Sequence, residues 1–158
     1  MSRARRPQPH FTMAALTMLA ASACGSLTAL PRAALTDLKT ARTLWAAGEP
    51  AAYEFTLEHQ CFCSHEFTMP VVVTVRDGQV ESRQFAATGA PVDTLWAAAF
   101  TSVDGLFDVI QDAIRRNAAY LEVTYDPQRG YPVRIDIDYR AEIADDEMTV
   151  LVRKFRPL

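Results

Sequence analysis

The chain has 158 residues, 49% of them hydrophobic and 22% charged, an ordinary globular composition with enough length for one domain and a genuine core. A formal charge of −3 argues against nucleic acid or an anionic membrane surface as the main partner.

At the N-terminal end, Arg3, Arg5 and Arg6 precede the uncharged stretch Phe11 to Ala23. That run is short of the ~20 apolar residues a spanning helix needs. Leu19-Ala20-Ala21-Ser22-Ala23-Cys24 then sets small residues before a cysteine. This is the pattern of a bacterial lipoprotein signal. Residues 1–23 are expected to be removed, leaving Cys24 as a first residue that carries palmitate-type acyl chains. An ordinary cleaved signal is the alternative, with Cys24 left as a plain thiol and the protein secreted. Arg5-Arg6 does not make a twin-arginine signal, because Pro7-Gln8-Pro9-His10 follows where an apolar residue is wanted. Lipidation places the domain on the extracytoplasmic face of the cell membrane or envelope, with the membrane as its partner through the lipid. Loss of the three arginines takes the basic residues from 16 to 13 against 19 acidic ones, and the formal charge from −3 to −6.

Residues 24–34, small through Gly25 to Pro31, are expected to be a tether, and 35–158 a single domain. A helix is predicted to begin at Thr36, which can cap the free amides, with Asp37 at the positive end of the dipole. Leu38, Ala41, Leu44 and Trp45 recur at helical spacing until Gly48 and Pro50 stop the run. From Tyr53 to Cys63 apolar and polar residues alternate, the mark of a half-buried strand. Val71 to Val75 is a second strand, and Asp77-Gly78 predicts a tight hairpin into Gln79 to Phe85. Ala86 to Phe100 reads as a connection with room for a short helical turn.

A second helix is predicted over Ser102 to Asn117, with Val103, Leu106, Phe107, Ile110 and Ile114 as its apolar stripe. Leu121, Val123 and Tyr125 alternate into the turn Asp126-Pro127-Gln128-Arg129-Gly130. Val133, Ile135, Ile137 and Tyr139 face inward on the return strand, a polar loop spans Arg140 to Glu147, and Met148 to Phe155 is the last strand. The order helix, three strands, helix, three strands argues for an α+β fold, an antiparallel sheet with two helices packed on one face. The two halves raise the question of an internal duplication, for which no residue-level repeat exists.

The segment with chemical potential is His59-Gln60-Cys61-Phe62-Cys63-Ser64-His65. If the strand continued through it, His59, Cys61, Cys63 and His65 would share one face, two thiolates and two imidazoles suited to Zn or Cu. Four ligands in a row about 6.6 Å apart cannot surround an ion, so no metal and no cofactor is expected. The structural alternative is a Cys61–Cys63 disulfide, since these are the only thiols left once Cys24 is lipidated and the compartment is oxidising. In an ideal strand their Cα atoms sit at the upper edge of the disulfide range, about 6.6–6.8 Å. The regular strand is therefore predicted to end near Gln60 and kink at Phe62. A redox role for the pair stays open. Asp145-Asp146-Glu147 with Asp136 and Asp138 lack calcium-loop spacing and read as a solvated loop. No nucleophile elbow, phosphate loop, dinucleotide fingerprint or His-Glu-x-x-His is present, and no catalytic residue is assigned.

Several pieces together carry a resemblance. They are Tyr53-x-Phe55-x-Leu57, Cys61-Phe62-Cys63, Val73-x-Val75 before Asp77-Gly78-x-Val80, and Leu106-Phe107-x-x-Ile110. Val123-x-Tyr125-Asp126-Pro127-x-x-Gly130-Tyr131-Pro132, Ile137-Asp138-Tyr139 and Ala144-Asp145-Asp146-Glu147 complete it. From about Trp45 to Phe155 the chain resembles the exported, often lipid-anchored bacterial proteins grouped as domain of unknown function 6174. Arg140 stands where that family tends to carry Asp. The resemblance implies a fold and a location and brings no activity. Two classes of function follow. One is a non-catalytic envelope lipoprotein that binds a protein, peptide or wall component. The other is a redox or metal protein built on Cys61 and Cys63, with His59 or His65 beside them.

Overall fold

A computed structural model of the chain describes residues 29–143 and 145–158. The expected signal segment, Cys24 and residues 24–28 lie outside the described residues. The elements run α1 (Ala29–Gly48), β1 (Ala52–Gln60), α2 (His65–Thr68), β2 (Val71–Arg76), β3 (Gln79–Phe85), α3 (Thr94–Ala97), α4 (Val103–Arg115), β4 (Tyr120–Tyr125), β5 (Pro132–Asp138) and β6 (Glu147–Pro157). All six strands form one antiparallel sheet in the order β3-β2-β1-β6-β5-β4. The α+β reading with an antiparallel sheet holds. The helix count does not, because α2 and α3 add single turns to the two long helices that the apolar stripes announce.

Helix α1 begins at Ala29 rather than Thr36 and takes in residues 29–34, expected to belong to a tether. Alanine and leucine there are strong helix formers, and Pro31 falls in the first turn, where its missing N–H has no intrahelical partner to lose. Thr36 is thus no cap. Its hydroxyl donates back to the Arg32 carbonyl at 2.9 Å, the bond of a helix-interior threonine. Helix α4 does carry a side-chain cap, at Ser102. Ser102 Oγ accepts from the Gly105 N–H at 3.3 Å, and the Val103 N–H donates to the Tyr53 hydroxyl at 3.2 Å.

Period-two alternation places Tyr53, Phe55, Leu57 and His59 of β1 on the face that α1 and α4 cover, and all four are buried. Val71, Val73 and Val75 of β2, Ile135 and Ile137 of β5, and Val150 and Val152 of β6 continue that floor. Trp45 of α1 anchors the helix to it, edge-on to Tyr53 at 5.3 Å and to Phe155 at 5.7 Å. Phe155 reaches this face only because β6 carries a bulge. Glu54 pairs with Arg156 but Thr56 with Arg153, so β6 spends one extra residue, and Lys154 adopts the left-handed conformation at φ 53°. Without that extra residue Lys154 would point into the aromatic cluster and Phe155 to solvent.

Two turns tie sequence to geometry. Asp77 and Gly78 both have positive φ, as a two-residue hairpin of matching twist requires. In the β4–β5 turn, Asp126 Oδ1 accepts the N–H groups of Gln128 and Arg129 at 3.0 and 2.7 Å, and Gly130 takes φ +81°. A Cβ at Gly130 would stand 2.4 Å from the Ala41 carbonyl oxygen, so glycine is what lets this turn press on α1. Tyr131, next in the chain, stacks on Phe155 at 4.5 Å.

The topology argues against a duplication. A half-turn about the sheet normal maps β1, β2 and β3 onto β6, β5 and β4, which keeps the helices on one face but reverses the chain order.

Candidate functional site

The Cys61 region leaves the sheet where expected. Strand β1 ends at Gln60, and the Cys63 N–H donates to the Cys61 carbonyl at 2.9 Å, a three-residue turn about Phe62. That turn draws the Cα atoms to 5.3 Å and sets the two sulfur atoms at disulfide distance. Phe62 at its tip is 84% exposed. Cys63 is exposed as well, while Cys61 is half-buried.

The kink also separates the two histidines. His59, still on the regular strand, points into the core and is 4% exposed, against Phe67 at 4.6 Å and Phe100 at 5.0 Å between ring centres. Its Nδ1 is buried without a hydrogen-bond partner, and burial among these rings pushes its pKa down to about 4. His65 opens α2 and is exposed. The one-face arrangement of His59, Cys61, Cys63 and His65 would need a strand through residue 65, and β1 stops at Gln60. Among the described residues, no three or more His, Cys, Asp or Glu side chains gather closely enough to hold a metal ion.

The acidic loop is likewise taken up by local contacts. Arg134 forks onto both carboxylate oxygens of Asp136 at 2.6 and 2.7 Å, and the Thr149 hydroxyl donates to the same carboxylate at 2.5 Å. Partial burial raises the Asp136 pKa, but these hydrogen bonds outweigh it and hold the carboxyl below its ordinary range. Asp138 accepts the Arg140 N–H at 2.8 Å, and Asp146 lies 3.5 Å from Arg140. Beside them on the uncovered sheet face, Glu54 pairs with Arg156 and Glu58 with Arg153. These pairs are exposed on at least one side, each worth at most about 1 kcal/mol, and they form a solvated surface rather than a poised site.

Sequence reading missed a second region. A cleft of about 410 Å³ opens between α1, α4 and strand β4. Its floor is Leu121, Val123 and Tyr125, and its walls carry Ala33, Ala34, Ala113 and Ile114. The floor residues are only half-buried, whereas the matching residues on the central strands β1 and β2 are closed off. Burial pushes the Tyr125 hydroxyl up to about 12, aided by nearby Asp37 and opposed by Arg42. Tyr125 is therefore neutral at any working pH and offers an apolar ring with a hydroxyl tip. The sequence signal was present but weak. Alternation in β4 was visible, while small residues on two helices do not reveal that they face one gap.

Searches of curated proteins and of solved structures give no match. Against family models the chain matches one described as a family of unknown function, over residues 37–157, a span that runs from α1 to the end of β6. On that match the chain belongs to the family of unknown function DUF6174.

Proposed function

We infer that the protein is an exported, lipid-anchored module of the bacterial cell envelope whose domain binds a partner without catalysis. Export and anchoring are supported by the basic head, the apolar run and the small residues that lead to Cys24. The Cys61–Cys63 geometry agrees with that location, since disulfides persist in oxidising compartments. Binding is carried by one observation: the β4 floor stays half-open under two helices while the covered faces of β1 and β2 are sealed. Apolar concavities with a few polar groups at the rim are where small proteins hold ligands. The test is fractionation of cells that make the full-length chain. The parent protein is expected in the membrane fraction and Cys24→Ala in the soluble extracytoplasmic fraction. A Cys24→Ala variant that stays on the membrane overturns the anchor.

A second reading, a redox or metal protein that uses Cys61 and Cys63, is favoured by one feature. Cys63 is exposed on the turn, so an attacking thiolate has access. Thiol titration of purified protein with and without reductant, together with elemental analysis, separates the two. A closed pair and no metal support the binding module. Free thiols with stoichiometric Zn or Cu favour the second reading.

A further inference from the structure

We propose that the free edge of β4 and the cleft beside it dock an extended peptide, which adds as a further strand and carries apolar side chains at alternate positions and a basic residue. The inference rests on the binding-module reading and names its surface and its class of partner.

The two edges of the sheet are treated differently. At β3 the chain doubles back and covers the last part of its own edge, from Arg83 to Phe85. The Phe85 N–H donates to the Ala90 carbonyl at 2.9 Å, the Val92 N–H donates to the Arg83 carbonyl at 3.1 Å, and Gln84 bridges to Pro91. At the other end β4 pairs with β5 alone, and no other described segment bonds to its outer side. Natural sheets blunt an exposed edge with lysine, proline, bulges or cover. Tyr120-Leu121-Glu122-Val123-Thr124-Tyr125 has no lysine or proline, and its register shifts only at the last step. It is a regular strand left available for main-chain hydrogen bonds.

Side chains set the register. Leu121, Val123 and Tyr125 face the cleft, while Tyr120, Glu122 and Thr124 alternate onto the uncovered face and are exposed. An added strand would send every second side chain into the same cleft, where alanines at 33, 34, 113 and 118 leave the room. Strand addition next to a helix-walled groove gives affinity through the backbone and specificity through alternate side chains. Charge selects the partner. The charged side chain on the cleft side is that of Asp37, an acid, while Glu122 points to the uncovered face. Arg134, on the neighbouring strand, is already forked onto Asp136. A basic residue on the incoming peptide fits this lining. A second copy of the chain does not, because two-fold pairing of β4 with itself brings two acidic linings together.

The test uses full-length protein and a pooled synthetic library of seven-residue peptides with apolar residues at alternate positions and one lysine. We expect selected peptides to bind saturably and to slow amide exchange at Tyr120–Tyr125. Replacement of the central peptide residue by proline should abolish binding. Ala33→Trp, which fills the cleft from an exposed helix position, should weaken binding at least tenfold, and Asp37→Lys several-fold. Glu81→Arg on β3 should bind like the parent. Equal binding by Ala33→Trp, or by the proline peptides, overturns the proposal, as does self-association that Ala33→Trp disrupts. Peptide binding that is lost in Phe62→Ser but kept in Ala33→Trp moves the site to the Cys61 turn and leaves the binding-module reading intact. No enrichment of any peptide overturns the proposal of a peptide-docking edge.

Discussion

His59 shows how one buried group imposes a pH dependence on the whole domain. In the unfolded chain its pKa is near the ordinary 6.5, and in the core burial lowers it to about 4. As pH falls below 6.5 the unfolded state therefore takes up the proton first, and stability declines until the folded pKa is reached. The lost stability is up to about 3 kcal/mol across that window. Urea unfolding at pH 7 and pH 4.5 should show a marked drop for the parent chain and a much smaller one for His59→Leu. An equal drop in both would place the pH sensitivity elsewhere. A second residue-scale test concerns Gly130. With φ +81° and the Ala41 carbonyl 2.4 Å from any added Cβ, Gly130→Ala should cost about 2–4 kcal/mol. Gly48→Ala meets nothing within 4 Å at an unstrained position, and it should be neutral or stabilise by up to about 1 kcal/mol. Denaturant midpoints at constant m-value read both.

Among the elements, β6 carries the least expected feature. Lys154 occupies the left-handed region, which costs a residue with a Cβ roughly 1–2 kcal/mol. Lys154→Gly should thus stabilise by up to about 1 kcal/mol, while the β-branched Lys154→Val should destabilise by more than that. Thermal or urea unfolding decides, and a stabilised Lys154→Val would contradict the bulge. This is also where sequence reading ends. The alternation at Tyr53-Phe55-Leu57 and Ile135-Ile137 was legible because a strand with one dry face must repeat every second residue. The kink at Phe62 was legible because two cysteines one residue apart meet only if the strand stops. The bulge was not, since Val152-Arg153-Lys154-Phe155 gives no local sign that the register will slip. The start of α1 was misplaced because Thr36 has the chemistry of a cap, and only the run of good helix formers upstream shows that the helix is already under way. The β4 cleft depends on α1, α4 and β4 meeting, a long-range fact that no window of sequence holds.

On the scale of the molecule, an acidic domain held at a membrane by acyl chains would be repelled from anionic headgroups, which would leave its β4 side free for a partner. That arrangement depends on maturation at Cys24 and on an oxidised pair at Cys61 and Cys63. Intact-mass spectrometry of the protein extracted from its native membrane reads both at once. The account predicts a chain that starts at Cys24, carries acyl chains there, and gains two hydrogen atoms on reduction. A mass that includes residues 1–23, or a chain that begins at an unmodified residue with both thiols free, would contradict it.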